Sequence, residues 1–294
     1  MGISDFGEQS KDNRKIISYG TVNANLIHGD CLDILRSMSP QSADCIFIDP
    51  PFNAGKEYQN SINDNRNIYE YRAWLSERLI ECNRVLKTGG MFWLMQSQEH
   101  VGYCQAELER IGLTFCNIIA WAYTNPTPLS NSFPHTWRPI LLFSKGVPKS
   151  FNWHWDIMAK PTLYFNPGRA KNIVYPHDLW PDIPKLVGGY LAQDELLIDA
   201  NGRFAHLAQM PLRIAERAIL TSTKIGDIIL DPFMGSGTVG CAASKWKRHY
   251  IGMEISRVYY ELSVKRLEDF AAQPELPFDS IGEDIHSISF DNFV

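Results

Sequence analysis

Apolar positions fall into two alternating rhythms along the chain. Short, nearly continuous runs read as buried strands: Ala24 to Gly29, Cys45 to Ile48, Met91 to Met95, Thr114 to Tyr123, Pro139 to Phe143, Asp227 to Asp231 and His249 to Met253. Between them lie stretches with helical spacing. Cys31 to Met38 carries Leu32, Ile34 and Leu35, and Tyr69 to Leu86 carries Tyr71, Trp74, Leu75, Leu79, Ile80 and Val85. Glu99 to Ile111, Pro211 to Thr221, Val239 to Lys245 and Arg257 to Phe270 follow the same spacing, and Gly89-Gly90 is the expected stop of the second helix. Strands alternating with helices predict an α/β fold, a doubly wound and mostly parallel sheet covered on both faces.

Five stretches depart from the pattern. Residues 1–20 read as a loose leader, 53–67 as a polar and mobile loop, 125–137 as a second loop and 273–294 as an acidic tail. The longest departure is 149–204, too long for a plain connection inside a compact domain. It is rich in Trp153, Trp155, Tyr164, Tyr175, Trp180 and several prolines, with Lys160, Arg169, Lys171 and Lys185 interleaved. Such a mixture suits a surface that stacks on bases and contacts phosphates, and equally an irregular insert with a small aromatic core. The α/β unit is thereby divided into 21–148 and 205–272.

Bulk composition narrows the class. With 294 residues, 45% hydrophobic and 21% charged, the chain is an ordinary globular protein. A net charge of −5 argues against holding nucleic acid by charge alone, but leaves room for a local basic surface. No apolar run is long enough to cross a bilayer, and the polar start is no secretory signal, so no membrane is expected. The six cysteines (Cys31, Cys45, Cys82, Cys104, Cys116 and Cys241) include no CxxC pair. They read as reduced core thiols of a cytoplasmic protein, with no disulfide frame and no metal site.

Candidate chemistry gathers at strand ends. Asp49-Pro50-Pro51-Phe52 presents an acid, a rigid kink and an aromatic ring just beyond Cys45 to Ile48, at the edge where open α/β sheets bind ligands. Asp231-Pro232-Phe233-Met234-Gly235-Ser236-Gly237-Thr238 forms a Gly-rich turn between a strand and a helix, where backbone can approach a ligand closely. Glu254 ends the next strand, in the place of an acid that meets ribose hydroxyls. Asp30, after Gly29, is placed to accept a ligand's amine or to cap a helix. Gly240 completes a formal G-x-G-x-x-G, so a nicotinamide-dependent dehydrogenase competes on this turn. A carboxylate at the strand's end does nothing for a diphosphate, however, and welcomes a cationic tail. S-adenosylmethionine, with a sulfonium, an amino-acid group and an adenosine, suits it better.

Taken together, the two motifs resemble those of the amino-DNA methyltransferases, which modify an exocyclic nitrogen of adenine or cytosine. Their Asp-Pro-Pro-(Tyr/Phe) stands here as residues 49–52 and their Asp-Pro-Phe-x-Gly-Ser-Gly-Thr as residues 231–238. Catalytic motif first, cofactor motif second and an irregular segment between them is similar to the β class. His28-Gly29-Asp30, Val85 to Phe92 and Ala208 to Arg217 resemble further elements of that family. The resemblance implies a Rossmann-like sheet of the S-adenosylmethionine-dependent type, with 149–204 as the target-recognition segment. It implies Asp49, Pro50, Pro51 and Phe52 as catalytic residues. Asp30, Asp231, Phe233, Gly235, Ser236, Gly237, Thr238 and Glu254 would bind S-adenosylmethionine, and no metal is needed. Double-stranded DNA with an everted base is the implied partner; a cognate restriction enzyme and a homodimer are left open. Asp as the first motif residue points to adenine-N6, with cytosine-N4 as the alternative and an inactive DNA-binding domain as a more distant one.

Overall fold

Alternate residues of the strand Ala43–Ile48 point to opposite sides, and both sides are buried. Cys45 and Phe47 enter one hydrophobic cluster, Ile46 and Ile48 another. A strand wrapped by apolar contacts on both faces must lie inside a sheet with helices above and below. In the computed structural model this is the arrangement found. The structure describes residues 13–55, 64–123, 130–152, 160–161, 173–174, 177–186, 197 and 209–272.

In chain order the elements are β1 (Arg14–Tyr19), β2 (Val22–His28), α1 (Cys31–Ser37), β3 (Ala43–Ile48), α2 (Ile68–Val85), β4 (Leu86–Met95), α3 (Val101–Arg110), β5 (Thr114–Ala122) and β6 (Trp137–Ser144). Then come β7 (Lys160–Pro161), β8 (Ile173–Val174), β9 (Leu179–Trp180), α4 (Leu212–Ser222), β10 (Ile228–Asp231), α5 (Thr238–Lys245), β11 (His249–Glu254) and α6 (Arg257–Ala271). The main sheet has the order β1-β2-β11-β10-β3-β4-β6-β5-β9, and β7 pairs with β8 separately. From β2 through β4 the neighbours run parallel, whereas β1 and β6 are antiparallel to theirs. Residues from α4, α5 and α6 cover one face, and residues from α1, α2 and α3 the other.

The connections leave β10 toward β11 on one side and β3 toward β4 on the other. Strand order therefore reverses between β10 and β3, and a crevice opens there at the carboxyl ends, the usual ligand site of such sheets.

Four expectations need correction. Arg14–Tyr19, read as part of a loose leader, is an edge strand, because its backbone pairs along the whole of β2. Gly89-Gly90 does not stop α2, which ends at Val85 with Leu86 extended; the glycines lie inside β4. A Cβ on Gly90 would sit 2.7 Å from the Asp44 carbonyl, and Gly89 has φ +81 beside the Lys149 side chain, so the pair lets β4 pass close to its neighbours. Within 149–204, Leu179–Trp180 joins the main sheet beside β5, and the Trp121 indole donates to the Ile183 carbonyl at 2.8 Å. Finally, Cys116 is exposed, since it is the extra residue of a bulge where β5 shifts register; the other five cysteines are buried. Residues 1–12, 124–129, most of 149–204 and the tail beyond 272 lie outside the described residues. No helix among the described residues is long and apolar enough to cross a membrane, and none of their His, Cys, Asp and Glu side chains form a group able to hold a metal.

Candidate active site

Parallel pairing brings four carboxylates to one edge. Asp30 follows β2, Glu254 ends β11, Asp231 ends β10 and Asp49 follows β3, on four adjacent strands. The two motifs, far apart in sequence, therefore flank the switch-point crevice from either side. Asp49 and Asp231 sense each other electrostatically, which proximity requires.

Asp231 is buried. Its Oδ2 accepts from the Tyr250 hydroxyl at 3.0 Å and its Oδ1 from the Phe233 amide at 3.1 Å. Burial, with Asp49 and Glu254 as like charges nearby, nonetheless pushes its carboxyl up to about 7. Glu254 is raised by burial too; its two oxygens accept from the Gly235 amide at 2.9 Å and the Ser256 amide at 2.8 Å. Through that bond to Gly235, Glu254 holds the Gly-rich turn in shape.

Within the turn the residues divide their work. Gly235 (φ +52) is half-buried at the crevice. Gly237 caps α5 at φ +77, and a Cβ there would be 2.7 Å from Leu267 Cδ1, so this glycine serves helix packing. Gly240, the third of the formal dinucleotide pattern, likewise makes room for Tyr250 and Leu267. The hydroxyls of Ser236 and Thr238 face Arg266 of α6, which donates to both and to the Ser236 carbonyl at 2.9–3.3 Å. Phe233 packs against Trp74, whose ring also carries the Arg66 and Arg78 guanidiniums. Asp30 caps α1 through the Leu32 amide and takes both oxygens to Arg78 at 2.9 Å. The structure shows the cap and adds an ion pair.

The other motif is fixed from three directions. The Tyr71 hydroxyl, on α2, donates to the Pro51 carbonyl at 2.8 Å and accepts from the Gln96 amide at 3.0 Å. His100 packs tilted against Tyr71, ring centroids 4.9 Å apart, and its ring reaches the Phe52 backbone; burial lowers its pKa. Asp64, buried, accepts from the amides of Asn53 at 2.7 Å and Ala54 at 3.1 Å. Asn53 in turn exchanges hydrogen bonds with the backbone of Arg66. The two ends of the polar loop are thus tied to each other; residues 56–63 between them, where mobility was expected, lie outside the described residues. Phe52 is only 8% exposed, and the Arg138 guanidinium lies 4.5 Å above its ring. Tyr71, Asp64, His100, Arg138 and Arg266 escaped the sequence reading. Only Asp64, an acid closing a loop that Asn53 opens, left a local signal.

What the site can do follows from this charge pattern. Four acids and a turn of close-approaching backbone favour a ligand with a cationic tail and oppose a diphosphate.

Comparison with known proteins agrees. The family described as DNA methylase matches residues 43–265. The chain belongs to the DNA methylase family. Its relatives include Type II methyltransferase M.HpaI of Haemophilus parainfluenzae, 31% identical over 264 residues, covering 89% of this chain and 78% of that one. DNA adenine methyltransferase YhdJ of Escherichia coli is 30% identical over 262 residues, covering 85% and 84%. Among solved structures, the M1.HpyAVI–SAM complex superposes with a TM-score of 0.57 at 23% identity, over 83% of this chain and 98% of that one. The cytosine-N4-specific PvuII DNA methyltransferase gives 0.58 at 22% identity, over 86% and 95%. These structures share the fold of this DNA methylase, and family membership sets the dehydrogenase reading aside.

Proposed function

We propose that this DNA methylase transfers a methyl group from S-adenosylmethionine to the N6 amino group of adenine, at a fixed sequence in double-stranded DNA. One observation carries the reading: Asp49 and Asp231 end neighbouring parallel strands on the two sides of one crevice. Adenine is favoured over cytosine by the aspartate at the head of the catalytic motif. The relative named as an adenine methyltransferase supports it at 30% identity, while the cytosine-N4 enzyme is similar in fold alone.

The residues present fit the donor. Asp231 and the backbone around Gly235 would hold its amino-acid end, and Glu254 its ribose, with Phe233 and Asp30 nearby. When bound, S-adenosylmethionine supplies an electrophilic methyl on a sulfonium. The chain's part is orientation and charge placement. An exocyclic amino nitrogen is a poor nucleophile because its lone pair is delocalised into the ring. Asp49 and the Pro50 carbonyl accept its two hydrogens, favouring a tetrahedral nitrogen with its lone pair free. Tyr71 and Asp64 hold the turn on either side of these acceptors, so little reorganisation is left for the reaction step. The target adenine leaves the stack to enter, and Phe52 stacks on it. Residues 149–204 read the flanking sequence.

Cells expressing the chain should carry N6-methyladenine at one recurrent sequence, read by single-molecule sequencing of their DNA. N4-methylcytosine there would overturn the choice of base, and unmodified DNA the whole reading.

Asp64→Ala removes the carboxylate that accepts from the amides of half-buried Asn53 and exposed Ala54, bonds to a charged acceptor worth at most about 1.5–3 kcal/mol each because water can replace them. Expected is a clear drop in kcat and in melting temperature, with donor affinity near normal by calorimetry. Affinity falling in step with kcat would place Asp64 in donor binding instead.

Donor affinity should also depend on pH. A carboxyl held near 7 is protonated in the free fold below that value, so Asp231 destabilises the fold as pH rises from its ordinary range near 4 toward about 7. A cationic ligand favours the ionised form, so binding below about 7 releases a proton and weakens roughly tenfold per pH unit well below it. Calorimetry in buffers of different ionisation enthalpy measures the proton, and Asp231→Asn should remove it. Unchanged proton release in that variant would assign the effect to another group.

A further inference from the structure

Arg138 stands where the proposed chemistry wants a base. It lies near the start of β6, which runs antiparallel to β4, so it is at the same sheet edge as Asp49. Its guanidinium, a planar cation, lies 4.5 Å over the ring of Phe52. Phe52 is otherwise packed in the core cluster, so the face under Arg138 is the one a stacking partner would take once the guanidinium moves aside. Among the described residues no acid or carbonyl pairs with this guanidinium. Arg78, Arg84 and Arg217, by contrast, are each held by a carboxylate.

The surroundings repeat the theme. Trp121, opposite Arg138 on β5, is in edge contact with Tyr123, and Lys185 lies 5.0 Å from the Tyr123 ring. Two cations thus rest on aromatic faces along one wall beside the catalytic turn. In a chain of net charge −5 with four acids lining this edge, the Arg138 guanidinium is the cation here that a polyanion approaching from outside would meet.

We propose that Arg138 is a positioning residue for DNA: it covers the stacking face of Phe52 in the free protein and yields it to the everted base. Its charge then passes to a backbone phosphate of the opened strand. A lone cation–π contact is weak enough to exchange for base stacking, and an unpaired guanidinium loses no ion pair on leaving. The cation thereby keeps the face clear of other apolar groups and is delivered to the strand as the base arrives. This inference rests on the reading of Phe52 as the base-stacking residue.

Two variants test it. Arg138→Met removes the charge and with it the cation–π contact on the Phe52 ring; Arg138→Lys keeps the charge and removes the plane. Binding of a short labelled duplex, followed by fluorescence anisotropy across a salt series, gives the slope of log affinity against log salt. Arg138→Met should flatten that slope by about 0.9, the share of one phosphate, and Arg138→Lys should keep the wild-type slope. A duplex with 2-aminopurine at the methylated position reports eversion at saturating protein. With its competitor gone, Arg138→Met should saturate at a brighter signal than the wild type. A wild-type slope in Arg138→Met, or an equal or dimmer signal, would overturn the proposal. A wild-type chain that binds duplex but methylates no DNA would overturn the proposed function instead, and the salt slopes would still decide whether Arg138 meets phosphate.

Discussion

Asp49→Ala should abolish methyl transfer to DNA while leaving S-adenosylmethionine bound as tightly as before, or slightly more so. The loss in kcat is expected to reach at least about 10²–10³-fold, the scale set by removing one preorganised hydrogen-bonding group from a reacting centre. In the proposed mechanism Asp49 and the Pro50 carbonyl accept the two hydrogens of the amino group, so the substitution halves the acceptors. Donor affinity behaves differently because Asp49 lies across the crevice from Asp231. Its charge helps hold the Asp231 carboxyl near 7, and removing it lets Asp231 ionise more readily. A cationic donor gains from that. Single-turnover transfer of labelled methyl, set beside calorimetric binding of the donor, separates the two effects. Substantial transfer by the variant would end the assignment of Asp49.

Substituting valine at the two glycines of the cofactor turn should give opposite outcomes. Gly235→Val should eliminate donor binding in a protein that still folds. Its φ of +52 and its place at the crevice make it the point of close approach, and a branched side chain there is both strained and in the way. Gly237→Val should instead damage the fold. At φ +77 its Cβ would stand 2.7 Å from Leu267 Cδ1 and 3.1 Å from Ser263 Cβ, between α5 and α6. Left-handed strain and overpacking together should cost about 2–5 kcal/mol. Melting curves with and without S-adenosylmethionine show which is which. A Gly235→Val protein that the donor still stabilises would move the donor away from this turn.

Much of this fold could be read from the order of residues because a doubly wound sheet writes its pattern locally. A strand buried on both faces is apolar along its length, as β3 and β10 are, and an amphipathic helix such as α2 repeats its apolar positions. The two motifs were legible for the same reason: each is a contiguous turn whose prolines and glycines fix its own backbone. Gly89-Gly90 shows where the local reading fails. Glycine marks a place where a side chain cannot fit, and only the neighbours, here Asp44 and Lys149, decide whether that place ends a helix or bends a strand.

The sequence by itself determined the alternating architecture, the acid at each of four strand ends and the local backbone preferences of both motif turns, since all of these depend on near neighbours along the chain. Tertiary structure alone decided that β10 lies beside β3, so that Asp231 and Asp49 face one crevice. It also decided that Arg78 takes Asp30, that Arg266 takes the hydroxyls of Ser236 and Thr238, and that Arg138 covers Phe52. Those pairings join residues from 28 to 86 positions apart, wherever packing brings a charge to a partner, and no local rule of spacing announces them.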